Sequence, residues 1–540
     1  TIYSKKKFLL SEYANRFPVL KGLFEKIKDI PIEEKAEYKN QKYLFVISID
    51  NEIISCLPDY SKIIEEELIW KHFEENHICS VCNQENVKSS SKIYVLKYYN
   101  TDKQGFSSGY RGDFKKNFSI CGTCYKKSLI GRAFIKNYLS SKIGLLDFYI
   151  IPHFIVTSES AINLKKLVKP IKNIFNPAVN IDSIAFFEDR LKQFQKFEKM
   201  QNSFFILNFL FYRQNQAQFY IHRLIKDVLP SRMSDIALKT IEINMTYKKI
   251  DENSRTISIS ALYNILPLKK TKVKQQKDKV EQKYYLEIIE SMLKEQRINE
   301  KEMVKKFAEG IKIIIHKQNE QYSLGNNKKD YIQNYVLDCN FFLLFLQKIN
   351  NIRGDFLMSK RIIEFIQLLE ERISYLNVKG EKYQLNAKKT EKIKNYLEEF
   401  KSVSSNEQKT GLVFLGYLLS EVAYAQSAKN LKKPILNKIN FTGMNEKNVL
   451  KFSNIIYEKM VQYKLVDFNA LFLYVKDQLI TMNLENWQLS KDENVFYIMT
   501  GYSLGALFIK KEDNKDEIEG ENEDNENNID DDNENIDDEN

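Results

Sequence analysis

Two short cysteine pairs, CSVC at 79–82 and CGTC at 121–124, hold four of the chain's six cysteines. No other feature of the 540 residues constrains the fold as much. Three chemistries use Cys-x-x-Cys: a metal site, a redox dithiol and a disulfide. The opening segment, TIYSKKKFLLSEYANRF, has neither an apolar core of signal-peptide length nor a small-residue cleavage site. A soluble, cytoplasmic chain is therefore expected. Its thiols stay reduced, which disfavours a disulfide framework. A redox dithiol needs only one pair, ordinarily near a βαβ pattern. Two pairs with 38 residues between Cys82 and Cys121 instead match four thiolate ligands of a tetrahedral zinc ion. The excursion exceeds the usual ~15–20 residues, so an ordered insertion at about 77–127 is expected. His77 lies just outside the first pair and reads as a surface residue. Cys56 and Cys339, in apolar surroundings, read as buried structural thiols. Zinc held by Cys79, Cys82, Cys121 and Cys124 has no open coordination position, so it staples a fold and does not catalyse.

Charge suggests the kind of partner. The formal net charge is +10, but residues 511–540 alone carry 16 acidic residues against 2 lysines. Removing them from the 82 Lys plus Arg and 72 Asp plus Glu leaves a body near +24. Such a body attracts polyanions, nucleic acid first among them. The tail lacks aromatic residues and nearly all apolar ones, so a disordered acidic tail is expected there. The most apolar stretch, GLVFLGYLLSEVAYAQ at 411–426, is interrupted by Glu421 and falls short of the ~20 residues that span a bilayer; no membrane is expected.

Periodicity places an α+β region before a helical one. KYLFVISIDNEIISCL (42–57) reads as two strands joined at Asp50-Asn51, and SKIIEEELIWKHFEE (61–75) as a helix. KIYVLKYY (92–99) reads as a strand, 101–118 as a loop, and 125–139 as a helix. LLDFYIIPHFIV (145–156) is a strand whose Pro152 suggests an edge or a break. Residues 183–201 look helical. SFFILNFLFY (203–212) and QFYIHRLI (218–225) are strands around a polar tip, RQNQA. Pro230-Ser231 opens a helix, and the basic run 267–283 reads as a linker or a solvated helix face. From about 285 nearly everything is helical. One predicted helix carries an apolar stripe of Phe356, Ile363, Phe365, Ile366, Leu369 and Ile373. The expected organisation is an N-terminal α+β domain over 1–350 with its zinc insertion, a helical bundle over 355–510, and the tail. Phosphate-loop, dinucleotide-binding, zinc-protease and nucleophile-elbow motifs are absent, and five scattered histidines suggest no catalytic pair. The chain reads as a binding protein and not an enzyme.

Candidate nucleic-acid contacts follow from local chemistry. Lys103, Arg111, Lys115, Lys116, Lys126 and Lys127 crowd the insertion, a duplex contact or a protein–protein one. Arg213, Gln214, Asn215 and Gln216 form the hairpin tip, where Gln and Asn can read adenine edges. Lys269, Lys270, Lys272 and Lys274 either track phosphate or belong to a linker.

The run from CSVCNQENVKSSSKIYVLKYYNTDKQGF to FSICGTCYKKSLIGRAFI resembles the large subunit of type I-B CRISPR Cascade, the Csh-type family. That family has a C-x-x-C, a strand, a YxTDKxGF-like phrase and a second C-x-x-C opening a helix. Here these are Cys79, Cys82, Tyr99, Thr101, Asp102, Lys103, Gly105, Phe106, Cys121 and Cys124. LNFLFY, DVLPSRM, FLGYLLSEVAYAQ and FYIMTGYSLG are similar to further landmarks in the same order, so the resemblance spans most of 40–510. Family members commonly carry more sequence before the strand at 42, so the N-terminal portion is expected to be incomplete. The resemblance implies a non-catalytic subunit of a guide-RNA complex. It would recognise a protospacer-adjacent motif on target double-stranded DNA, aid opening and hold the displaced single strand. Its implied partners are guide RNA, the Cascade backbone and small subunits, and the CRISPR helicase-nuclease. It also implies that the C-terminal helices can be made separately, with Met358 a candidate start. A stand-alone zinc-stapled nucleic-acid-binding protein and a metal-dependent nuclease are the alternatives.

Overall fold

The computed structural model describes residues 48–49, 52–53, 65–66, 70–93, 95–96, 118–144, 146–154, 205–215, 218–252, 254–273, 276–280, 282–324, 331–353, 357–380, 383–429, 431 and 434–506. The expected helix at 183–201, the loop at 101–118 before Phe118, the acidic tail and Cys56 lie outside the described residues. The chain divides into two compact units, one of residues 1–93 with 107–125, the other of 94–106 with 126–540. The class is α+β, as expected from the sequence, with the sheets in the N-terminal half.

In the first unit, β1 (Ser48–Ile49) and β2 (Glu52–Ile53) form the expected antiparallel hairpin across Asp50-Asn51. A three-stranded sheet follows in the order β3 (Glu74–His77), β4 (Val87–Ser90), β5 (Ile120–Cys121). Two readings of this region need correction. Within the helix expected over 61–75, Glu65 and Glu66 are helical, but Trp70–His72 form a 3-10 turn and Glu74–His77 belong to β3. The described residues of 92–99 are not strand, and the ladder uses Val87–Ser90 instead. Helical spacing of apolar residues is no guide where a strand partner, here β4, captures the backbone. Trp70 and Phe73 pack ring against ring at 5.3 Å, and Phe73 meets Tyr125 edge-on at 6.4 Å.

The second unit carries an antiparallel meander in the order β6 (Ser140–Ile143), β7 (Leu146–Phe154), β8 (Phe205–Asn215), β9 (Gln218–Val228). Alternation sorts its side chains. Phe148, Ile150, Phe209, Phe211 and Ile225 enter the main core, while Tyr149, Leu210 and Phe219 form a small cluster of their own. There Tyr212 stacks between Tyr149 at 4.3 Å and Phe219 at 4.6 Å. Pro152 is tolerated because β6 pairs with β7 only as far as Tyr149, so the missing N–H falls beyond that ladder. The basic run at 267–283 is neither linker nor helix face: β10 (Lys270–Val273) and β11 (Gln276–Val280) pair as a hairpin.

After α1 (Gly122–Tyr138), the helical part begins with α2 (Pro230–Ile250), with Pro at its first position where no N–H is needed. Then come α3 (Lys283–Leu293), α4 (Glu300–Ile315), α5 (Tyr331–Lys348), α6 (Lys360–Val378), α7 (Gln384–Glu399), α8 (Glu407–Ser427), α9 (Glu446–Gln462), α10 (Asn469–Tyr474) and α11 (Lys491–Ala506). Asparagines start three of them. The Oδ1 of Asn299 accepts from the Lys301 N–H at 3.0 Å, that of Asn406 from Lys409 at 2.9 Å and that of Asn445 from Asn448 at 2.9 Å. Each such cap stabilises its helix by about 1 kcal/mol. On α6 the buried stripe is Ile362, Phe365, Leu369 and Leu376, and Ile363, expected inside, is 47% exposed.

Helices α8 and α11 are apolar nearly all round, the pattern of central helices, and both are buried almost end to end. They cross at backbone contact. A Cβ on Gly416 would overlap the Ile498 carbonyl oxygen, and one on Gly501 the Val413 carbonyl oxygen. Residues from both sides of position 350 share this core. Phe496 packs on Phe307 at 6.0 Å, and the Asn340 amide donates to Thr500 Oγ1 at 2.9 Å. The Tyr396 hydroxyl donates to Asn340 Oδ1 at 2.8 Å, and Lys409 pairs with Glu300 at 2.8 Å. Cys339 is buried in the same core, as expected. Among the described residues no helix is long and apolar enough to cross a membrane.

Candidate metal centre

The four cysteines of the two pairs come together in the first unit. Their sulfurs all lie within 4.8 Å of one another, and none of them is bonded to another. The first pair sits in a tight turn closed by the Asn83 N–H donating to the Cys79 carbonyl at 2.8 Å. Asn83 and Asn86 adopt left-handed backbone with φ of 57° and 54°; asparagine tolerates that region far better than branched residues do. The second pair runs from the end of β5 into the first turn of α1 (Gly122–Tyr138). The expected helix at 125–139 therefore starts inside the pair and not after it. Gly122 fits there because a Cβ would overlap the Trp70 ring.

Backbone bonds clasp the two pairs. The Cys121 N–H donates to Cys79 Sγ at 3.2 Å, the Ser80 N–H to the Ser119 carbonyl at 2.7 Å, and the Ser119 N–H to Ser80 Oγ at 3.0 Å. The electrostatics of the sulfurs diverge. Burial pushes Cys79 up, but N–H groups of Cys121, Cys82 and Val81 outweigh it and bring its thiol down to about 6. Burial, reinforced by the neighbouring sulfurs, pushes Cys124 up to about 12, and burial raises Cys121 as well. Four sulfurs so close cannot all ionise without a cation between them. The fit to one is direct. A tetrahedron with ~2.3 Å metal–sulfur bonds has edges of about 3.8 Å, and Cys82 Sγ lies 3.9 Å from Cys121 Sγ. Cys82 is exposed and the other three are buried, so the centre sits at the surface with one ligand facing solvent. His77 is half-buried in β3 and lies outside the cluster.

The expected nucleic-acid residues are dispersed. Lys103, Arg111, Lys115, Lys116, Gln216 and Lys274 lie outside the described residues. Lys126 and Lys127 follow Cys124 on α1, the first half-buried and the second exposed. Arg213, Gln214 and Asn215 belong to β8 itself, opposite Tyr220, Phe219 and Gln218, so the strand runs further than the sequence suggested. Lys269, exposed, bridges to Tyr322, while Lys270 and Lys272 lie in β10. The residues missed by sequence reasoning are supporting ones. The asparagines after CSVC were a visible signal, whereas the Trp70–Gly122 contact left none.

Fold and site together define an α+β protein with a four-cysteine knuckle of metal-binding geometry and a long helical half. The chain belongs to the CRISPR-associated TM1802 family: the model of that family's central domain matches residues 76–228 and that of its C-terminal domain matches residues 257–516. Both cysteine pairs fall within the central match and both central helices within the C-terminal one. No curated protein matches the chain.

Proposed function

We propose that this protein is the non-catalytic large subunit of a type I-B Cascade, a guide-RNA-directed DNA surveillance complex of the cytoplasm. In this reading it recognises the protospacer-adjacent motif, aids opening of the duplex, holds the displaced strand and offers a docking surface to the helicase-nuclease. The observation that carries it is the closed four-sulfur centre inside the matched central domain of a CRISPR-associated family. The donor set is that of structural zinc, which staples a knuckle and leaves no position for substrate. Guide pairing reads the long target, so the protein needs only a short groove-reading element and a basic path for a single strand. A body near +24 supports that path.

The test is co-purification. The tagged full chain is expressed with its neighbouring genes, and RNA and metal in the eluate are analysed. A uniform guide-length RNA with several partner proteins, and one zinc per chain, is the expected result. A lone protein that cleaves DNA when given Mg²⁺ or Mn²⁺, or that binds one sequence tightly by itself, would overturn the assignment.

A further inference from the structure

We infer that the outward face of α1 is the groove-reading element of this protein and docks in the major groove of duplex DNA. The inference deepens the function proposed above and rests on that reading. Charge sets α1 apart from the other long helices. It carries Lys126, Lys127, Arg132 and Lys136 and no Asp or Glu. Each helix from α2 to α9, and α11, holds at least one acidic residue. An acid-free basic helix is therefore not the rule in a chain with 72 Asp plus Glu.

The surface of α1 is two-sided. Helical spacing places Lys127, Ile130, Gly131 and Asn137 along one stripe. Lys127 and Asn137 are exposed, and Ile130 is 71% exposed. Ile135, on the opposite side, packs against the main core and the tyrosine cluster of the meander.

Gly131 is the independent observation. Glycine inside a helix is destabilising relative to alanine, so an internal glycine needs a reason. At Gly310, Gly416 and Gly501 the reason lies within the fold, because a Cβ would overlap the Tyr335 hydroxyl or a backbone carbonyl. A Cβ on Gly131 would meet nothing within 4 Å. Packing does not account for the bare backbone at the centre of the stripe, whereas a ligand that approaches the helix closely does.

Charge and shape select the occupant. A helix with four cations and no anion attracts a polyanion. The major groove of B-DNA admits an α-helix, while the deep, narrow major groove of duplex RNA does not. Zinc modules of other proteins present a helix to the major groove in this way. In the groove Lys127 reaches a phosphate, Gly131 lets the backbone come close, Ile130 meets a thymine methyl and Asn137 pairs with an adenine edge.

The test uses the full chain and a labelled DNA duplex of mixed sequence, titrated with NaCl. Lys127→Ala is expected to reduce the slope of log K against log [NaCl] by about 0.9, one phosphate contact. Lys305→Ala, an exposed lysine of α4, leaves the slope unchanged. Gly131→Leu weakens binding about tenfold with an unchanged or raised thermal melt, an outcome that a purely structural glycine would not give. A p-benzoylphenylalanine placed at Ile130 crosslinks the duplex, and methyl green, a major-groove ligand, suppresses the crosslink where netropsin, a minor-groove ligand, does not. An unchanged slope for Lys127→Ala, parental affinity for Gly131→Leu, no crosslink to the duplex, or suppression by netropsin alone overturns the inference. The two failures are distinct: guide RNA that co-purifies while these variants bind duplex as the parent does overturns the role of α1 and leaves the proposed function standing.

Discussion

Glu421 breaks the most apolar run of the sequence, yet it lies in the middle of α8, one of the two central helices. Its carboxylate is 8% exposed and receives the Lys389 ammonium, 4% exposed, at 3.1 Å and 3.4 Å. At an effective dielectric of ~20, charges so placed attract by roughly 5 kcal/mol. Withdrawing both ions from water costs several kcal/mol each, so the intact pair contributes little net stability. Removing one member is different. Lys389→Met leaves an uncompensated buried carboxylate, a loss of about 3–5 kcal/mol. The lower end is expected, because Arg372 also acts on Glu421 through space. Glu421→Leu strands the ammonium at a similar cost, partly offset by the Tyr424 ring 5.1 Å away. Lys389→Met with Glu421→Leu exchanges the pair for apolar volume and returns to within about 1 kcal/mol of the parent. The assay is urea unfolding followed by Trp487 fluorescence in a Trp70→Phe background, because these are the only two tryptophans. Trp487 packs against the helical core, so the midpoint reports that region at constant m. Single variants that cost less than about 1 kcal/mol, or a double variant as unstable as either single, would refute the reasoning.

Three further outcomes are expected. Cys124→Ser abolishes stoichiometric zinc and loosens the Trp70–Phe73–Tyr125 packing, read by metal analysis and Trp70 fluorescence, while Cys339→Ser leaves zinc unchanged. Gly501→Ala lowers stability by about 3 kcal/mol or more, because its Cβ meets a backbone carbonyl and not a movable side chain; denaturation of the variant checks it. Asp338 is buried and bonded to Arg255 at 2.5 Å and to the Tyr247 hydroxyl at 2.9 Å, and burial raises its carboxyl from 3.8 to about 6. A raised carboxylate binds its proton more tightly when folded. Its stabilising share is therefore complete below pH 4 and lost as pH rises through 6, a swing of about 3 kcal/mol that Asp338→Asn removes from the stability–pH profile.

Local chemistry was legible in the chain itself. Thiolates at C-x-x-C spacing form knuckles by short-range backbone bonds, so Cys79, Cys82, Cys121 and Cys124 could be grouped before any fold was known. The hairpin at Asp50-Asn51, the strands β8 and β9 and the helix at Pro230 follow from turn residues and alternation. The central position of α8 and α11 follows from apolar residues on every face. Tertiary structure decided what depends on distant partners. It turned the basic run at 267–283 into a hairpin, because strand pairing is a property of two segments and charge describes only one. It drew the end of the helix predicted at 61–75 into β3 by offering it β4. It chose Ile362 over Ile363 for the inner face of α6, because rotation of a helix by one residue is set by the surface it meets. Gly122, Gly416 and Gly501 look ordinary in sequence, and only the ring or carbonyl pressed against each explains it.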